Sequence, residues 1–228
     1  MRIITISASL LLLALSGCSC NENFSGYRYN PFQFVYPEYH LKAEVSPIIS
    51  SGLPEANGSP IEFYGLKTTL PAQWNTLAES KTVGEDRVIF KSGGNVIMIF
   101  REKEKLLGCG YSEFKEGNKD FCSAFESTED FYWKLYTLTP ELVSKENSGQ
   151  KWIVHKKGQL FEDVERIRIY KGQDVTVYRS DFKPGSRLKT ELFVFHKKLE
   201  PDHLIISTTI EDEETIRALI ASNVKSQQ

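Results

Sequence analysis

The residues able to do chemistry in this chain are few and scattered. Four histidines (His40, His155, His196 and His203) and four cysteines (Cys18, Cys20, Cys109 and Cys122) are the titratable or soft-ligand candidates. A hydrolytic or metal centre needs such groups at spacings that helix or strand geometry can aim at one point. The chain has no H-E-x-x-H pair, no G-x-S-x-G elbow, no G-x-x-x-x-G-K-[ST] loop and no G-x-G-x-x-G turn. The plainer reading of His155, His196 and His203 is hydrogen-bonded or exposed residues at strand ends. No catalytic residue, metal ligand or cofactor site is expected. A repeated H-K-K triplet, His155–Lys157 and His196–Lys198, sits among Arg166, Arg168, Arg179 and Lys189. On one sheet face these cations would meet an acidic partner or lipid headgroups. Glu162, Asp163, Glu165 and Glu191 are interleaved, so a mixed, solvated face is the simpler reading. The run Glu211–Glu214 lacks the spaced Asp/Asn and Gly of a calcium loop and reads as helix capping.

The N-terminus is an address. Met1-Arg2 precedes the apolar run Ile3 to Leu15, and thirteen helical residues reach only about 20 Å, short of a bilayer core of about 30 Å. That pattern reads as a secretory signal over residues 1–17. Leu15-Ser16-Gly17-Cys18 resembles the bacterial lipobox. The resemblance implies cleavage before Cys18 and a mature N-terminus carrying diacylglycerol on sulfur and an acyl group, such as palmitate, on nitrogen. Two or three acyl chains make a stable anchor, at about 0.8 kcal/mol per buried CH₂. By resemblance to enterobacterial lipoprotein sorting, Ser19 in place of Asp implies the outer membrane, facing the periplasm or the surface. The lipid bilayer is therefore one expected partner, through acylated Cys18.

Export places the remaining cysteines in an oxidising compartment. Cys109 and Cys122 would close a short polar loop, worth about 3 kcal/mol in the simple chain-entropy picture. A metal site is the alternative, without a CxxC pair or nearby His to support it. Cys20 is left as a free thiol or an intermolecular partner.

Length and charge bound the rest. The 228 residues carry 28 Lys plus Arg against 30 Asp plus Glu, which argues against a nucleic-acid binder. Hydrophobic residues at 40% and charged residues at 25% suit a globular domain with a real core. Residues 18–60 form an arm holding five prolines, so long regular elements are not expected there. Its density of aromatic residues sets it apart from a plain tether. Tyr27, Tyr29, Phe32, Phe34 and Tyr36 either pack onto the domain or serve as a recognition arm, since Tyr and Phe dominate interfaces. Residues 50–60 read as linker.

From Ile61 to the C-terminus the chain reads as one α+β domain, an antiparallel sheet flanked by helices. Ile61–Thr69 is a candidate strand. Arg87–Lys91 and Asn95–Arg101 are joined by Ser92-Gly93-Gly94-Asn95, a tight hairpin signal. Ser127 with Asp130 predicts a helix start, and Thr139-Pro140 predicts a second, short one. A meander follows: Trp152–His155, Leu160–Tyr170, Asp174–Asp181, Leu188–His196 and His203–Ile210, with turns at Lys157-Gly158, Gly172-Gln173, Pro184-Gly185 and Glu200-Pro201. Asp212 is placed to cap a closing helix with Ile216, Leu219, Ile220 and Val224 on one face.

Tyr64-Gly65-Leu66 leading to Leu70-Pro71-x-x-Trp74, with the late meander and closing helix, resembles the PsbP-like fold, found also in bacterial lipoproteins of the DcrB type. The resemblance spans residues 61–224 and implies a PsbP-like sandwich with a binding or assembly role and no shared chemistry. Together these features predict an envelope-facing lipoprotein that binds a protein partner without catalysis. Its most concrete form is an immunity-type inhibitor of an antibacterial effector, such as a phospholipase. A structural lipoprotein of an envelope complex is the second reading, and an enzyme with an unrecognised site the third.

Overall fold

A computed structural model describes residues 37–48, 60–63, 66–69, 87–92, 94–103, 122–144 and 146–225. The fold is α+β. Seven strands form one sheet: β1 (Glu44–Pro47), β4 (Arg87–Ser92), β5 (Asn95–Glu102), β6 (Val164–Lys171), β7 (Val175–Phe182), β8 (Thr190–His196) and β9 (His203–Thr208). Their spatial order is β1-β6-β7-β8-β9-β5-β4. Every pairing is antiparallel except β1 with β6. β2 (Pro60–Phe63) and β3 (Leu66–Thr69) form a separate two-stranded sheet. The helices are α1 (Thr128–Thr137), α2 (Ser148–Leu160) and α3 (Glu213–Lys225).

Strand alternation sorts the core into two layers. On one face Ile97, Ile99, Val177, Leu192, Val194, Leu204 and Ile206 meet Ile216, Leu219 and Ile220 of α3. On the other, Ile167, Ile169, Tyr178 and Phe195 meet Phe131, Leu135 and Tyr136 of α1 and Ile153 of α2. The two helical layers thus cover opposite faces of one sheet.

Local signals explain several elements. Ser127 Oγ accepts from the amide of Asp130 at 3.1 Å, and the Asp130 carboxylate accepts from the amide of Glu126 at 2.9 Å, a variant of the reciprocal cap expected there. Asp212 Oδ2 accepts from the amide of Thr215 at 2.8 Å and starts α3 as predicted. Thr139-Pro140 opens a 3₁₀ turn, Pro140–Leu142. Gly94 takes φ +89° in the β4–β5 hairpin and Gly185 takes φ +92° between β7 and β8, a region where a Cβ is unfavourable.

Three expectations are corrected. Trp152–His155 is not a strand: it lies inside α2, so Lys157-Gly158 is helix interior and the meander starts at Val164. Asn147 caps that helix, accepting from the Gln150 amide at 2.9 Å. Gly158, which reads as a turn, instead leaves a notch that the Tyr39 ring fills; a Cβ there would strike the ring. Ile61–Thr69 is not one strand but the β2–β3 hairpin, with Phe63 opposite Leu66. Finally, the apolar run Val96–Phe100 reads as a central strand, but β5 is second from the sheet edge.

The arm joins the domain earlier than residue 61. A 3₁₀ turn at Pro37–His40 and strand β1 dock onto α2 and β6. Glu38, almost buried, accepts from Lys183 Nζ at 2.6 Å, and that hydrogen bond holds its carboxyl below the usual range. The amide of Ala43 donates to Tyr136 O at 3.0 Å. Lys157, fully buried, donates from Nζ to Leu41 O and to Leu138 O, joining the arm to the C-terminal end of α1. For residues 37–48, then, packing onto the domain is what the structure shows.

Candidate functional site

The meander brings two polar regions into being, one on the α3 face of the sheet and one at the sheet's end. The first is a charge network at the start of α3. Arg166, Arg168, Arg179 and Asp181 alternate along β6 and β7 and point to the same face. Arg179 has a side chain only 3% exposed. Its Nε donates to Asp181 Oδ1 at 2.7 Å, and Nη1 and Nη2 clasp Glu213 at 2.9 and 2.6 Å. Such a fork-to-carboxylate geometry is the strong form of an ion pair. Arg168 adds a bond to Glu213 at 3.2 Å and one to the Tyr170 hydroxyl at 3.2 Å. Arg166 reaches Asp181 at 3.1 Å, and Thr190 donates to the other Asp181 oxygen at 3.1 Å. Partial burial alone would raise the Glu213 carboxyl, but Arg179 and Arg168 hold it below the usual range. Lys189 pairs with Glu211 at 2.7 Å. Of the cations predicted to meet a partner, Arg166, Arg168, Arg179 and Lys189 are therefore engaged within the domain, and Arg166, at 56% side-chain exposure, is the most open of these four.

The second region is a cleft of about 450 Å³ at one end of the sheet. Three elements wall it: Ser127–Glu129 at the start of α1, the β6–β7 turn from Gly172 to Thr176, and the β8–β9 connection with Phe195–Lys197 and Glu200–Asp202. Its carboxylates are Glu129, Asp174, Glu200 and Asp202 and its lysine is Lys197. Lys197 pairs with Asp174 at 2.8 Å, and Arg101, from β5, pairs with Asp202 at 2.7 Å. His196 is buried, accepts through Nδ1 from the Lys198 amide at 2.9 Å, and is pushed toward its neutral form by burial and by Lys198.

Among the described residues, two buried polar side chains around this cleft have no hydrogen-bond partner. Thr128, 5% exposed and lining the cleft, leaves its hydroxyl unbonded. His203, 3% exposed, leaves both ring nitrogens unbonded. The imidazole lies flat on Phe195, centroids 4.6 Å apart and planes 12° apart, with Tyr132 tilted nearby at 5.9 Å. Burial pushes the His203 pKa down to about 4, with Asp202 opposing. Behind it, Tyr132 packs on Phe193 at 4.4 Å, and Ser207 donates to Glu191 at 2.9 Å, whose carboxyl burial raises. A larger hollow of about 530 Å³ lies beside Ser144 and residues 146–150; its Lys134 already donates to Ala124 O and Asp130.

Of the predicted histidines, His155 falls on α2, His40 pairs with Glu141, and His196 and His203 end β8 and start β9 as expected, but buried. Among the described residues no three His, Cys, Asp or Glu side chains gather as a metal set. Cys122 is disulfide-bonded; Cys109, the partner expected from sequence, lies outside the described residues. So do Cys18, Cys20, Tyr27, Tyr29, Phe32, Phe34 and Tyr36. Sequence reading missed Thr128, Lys157 and the Arg179–Glu213 clasp. Nothing in a lone Thr at a helix start, or a Lys in an H-K-K run, announces burial. Compared with protein-family models, characterised proteins and solved structures, the chain matches none of them.

Proposed function

We propose that this protein is a membrane-anchored, envelope-facing lipoprotein that works as a non-catalytic protein-binding module. Its most concrete form is an immunity-type inhibitor that blocks an antibacterial effector, such as a phospholipase, by one-to-one contact. The lipobox resemblance supplies the anchor at Cys18. The observation that supports a binding role is the docked arm. Residues 37–48 add a strand to the sheet edge and are held by Lys157, Lys183 and the Tyr39 notch. The charge network supports the same reading, because its groups are engaged in holding β6, β7 and α3 together instead of converging on a reactive point.

Affinity capture tests this reading. The chain, tagged at its C-terminus, is used against envelope extract and against supernatant of competitor-stimulated cells. Retention of a secreted toxin or lipase at near-equal stoichiometry, with loss of its activity on binding, is the expected result. A resident envelope complex would instead support the assembly role, and an empty column would count against both. For the anchor, Cys18→Ser is expected to release the protein from the membrane fraction and lower its mature mass by the acyl chains; unchanged fractionation and mass would remove the lipoprotein reading.

A further inference from the structure

We infer that the side of the domain around the docked arm, chiefly the outer face of α2, rests on an anionic phospholipid surface and sets how the tethered domain faces the membrane. This inference rests on the lipid anchor of the reading above and adds a second, non-covalent contact to it.

The tether selects the side that comes near. Residues 19–36 link Cys18 to the docked arm, a reach of at most about 65 Å whatever their path. The arm enters against α2, where the Tyr39 ring fills the Gly158 notch and Lys157 holds the Leu41 carbonyl. Such a link makes contact between that side and the bilayer an intramolecular event. An independent observation concerns apolar surface. Among the described residues, the large hydrophobics that stay exposed are Val45, Leu142 and Leu160, each just over half open. Single exposed apolar residues are ordinary. Here all three sit on the arm or beside its contacts. Val45 is in β1, Leu142 follows Glu141, which pairs with His40, and Leu160 is two residues past the Tyr39 notch.

Charge gives the sign of that surface. α2 carries no acidic residue, and helical spacing puts Lys151, Trp152, His155, Lys156 and Gln159 on the side away from the buried Ile153, Val154 and Lys157. The Trp152 and His155 rings meet edge to face at 5.9 Å, and Lys156 Nζ donates to the Gln159 amide oxygen at 3.1 Å. Burial and Lys156 push His155 toward its neutral form, so Lys151 and Lys156 are the cations of this face. Glu146 before the helix and Glu162 and Asp163 after it are exposed and oppose an anionic surface. Each lysine beside such a surface favours contact about fivefold, and the acids at the helix ends offset part of that. A free domain would bind weakly, but a tethered one is already within reach and needs only this bias to be oriented. A half-buried indole between two lysines suits the headgroup layer, where one end of a Trp ring is apolar and the other wet.

Tryptophan quenching by a lipid with a nitroxide headgroup tests the contact. The lipidated chain is reconstituted in vesicles of phosphatidylglycerol and phosphatidylcholine that carry this lipid. Trp152→Phe separates the Trp152 signal from those of Trp74 and Trp133. Quenching on these vesicles that Trp152→Phe removes is the expected result. Vesicles of phosphatidylcholine without the anionic lipid, or about 0.5 M salt, should lower it about threefold or more. The salt arm needs no variant and so does not depend on folding. Lys151→Glu with Lys156→Glu, at half-exposed positions, should lower it at least as far. The Cys18→Ser chain, titrated with the same vesicles, should show the same quenching only at higher lipid. That arm tests the face even if Cys18 proves to carry no lipid, so failure of the anchor and failure of the contact are distinguishable. No Trp152 quenching in either chain, equal quenching on the neutral vesicles, or quenching unchanged in the double lysine variant would each overturn the contact. A protein captured by the natural chain and lost from the double variant, with quenching unchanged, would make this a protein-binding face and overturn the membrane assignment as well.

Discussion

The two polar regions, one on the α3 face and one at the end of the sheet, treat buried polar atoms in opposite ways. At the start of α3, Arg179 is buried with Nε, Nη1 and Nη2 each donating to a carboxylate, and Asp181 accepts from three side chains. At the cleft, Thr128 and His203 are buried just as deeply, yet their polar atoms have no protein partner. A saturated network can only lose by change, because each removal strands a charge. An unsaturated one can still gain from a ligand. That contrast marks the α3 side as structural, its polar groups spent on holding the fold.

The sharpest way to break the contrast is Arg179→Ala. It takes three charge-assisted hydrogen bonds from Asp181 and Glu213, which keep only their contacts to Arg166, Arg168 and Thr190, and the domain should lose about 3 kcal/mol in urea denaturation. A loss under about 1 kcal/mol would deny the network its structural role. Lys157→Met comes next. Two buried carbonyls, Leu41 and Leu138, lose their donor, against the relief of no longer burying a cation whose pKa burial pushes down to about 7. The net expectation is a loss of about 2 kcal/mol, with hydrogen-exchange protection at Ala43 falling first as the arm frays.

His203 sharpens the comparison through pH. Its folded pKa lies near 4, below the ordinary value of 6.5. The unfolded chain therefore binds a proton that the folded chain refuses, and stability falls as pH drops from about 6.5 toward 4. At pH 4.5 this residue alone should cost about 2 kcal/mol relative to pH 7. His203→Phe, which keeps the stack on Phe195, should flatten that part of the pH profile; an unchanged slope would show that His203 is not its source. The smallest effect belongs to Arg166→Ala. Its exposed single bond to Asp181 should be worth no more than about 0.5 kcal/mol.

Much of the fold was legible because its signals are local. The Ser127 and Asp212 caps, the Gly94 hairpin, and the alternation of Ile167 and Ile169 with Arg166 and Arg168 each act within a few residues. The errors arose where distant contacts override local preference. Trp152–His155 carries β-branched residues and ends near a glycine, yet it is helical, because Asn147 caps it and Tyr39, more than a hundred residues away, fills the Gly158 notch. The parallel pairing of β1 with β6 joins segments equally far apart and has no signature in an arm rich in proline. The cleft was invisible for the same reason: Glu129, Asp174, Glu200 and Thr128 come from three connections that only the sheet order brings together.

The most direct test runs the capture experiment side by side on the natural chain and on Arg166→Ala. One protein retained at near-equal stoichiometry by both, with loss of its activity on binding, is the predicted result. An empty column for the natural chain would contradict the account, and loss on Arg166→Ala alone would place the binding surface on the α3 side and contradict the structural reading of that network.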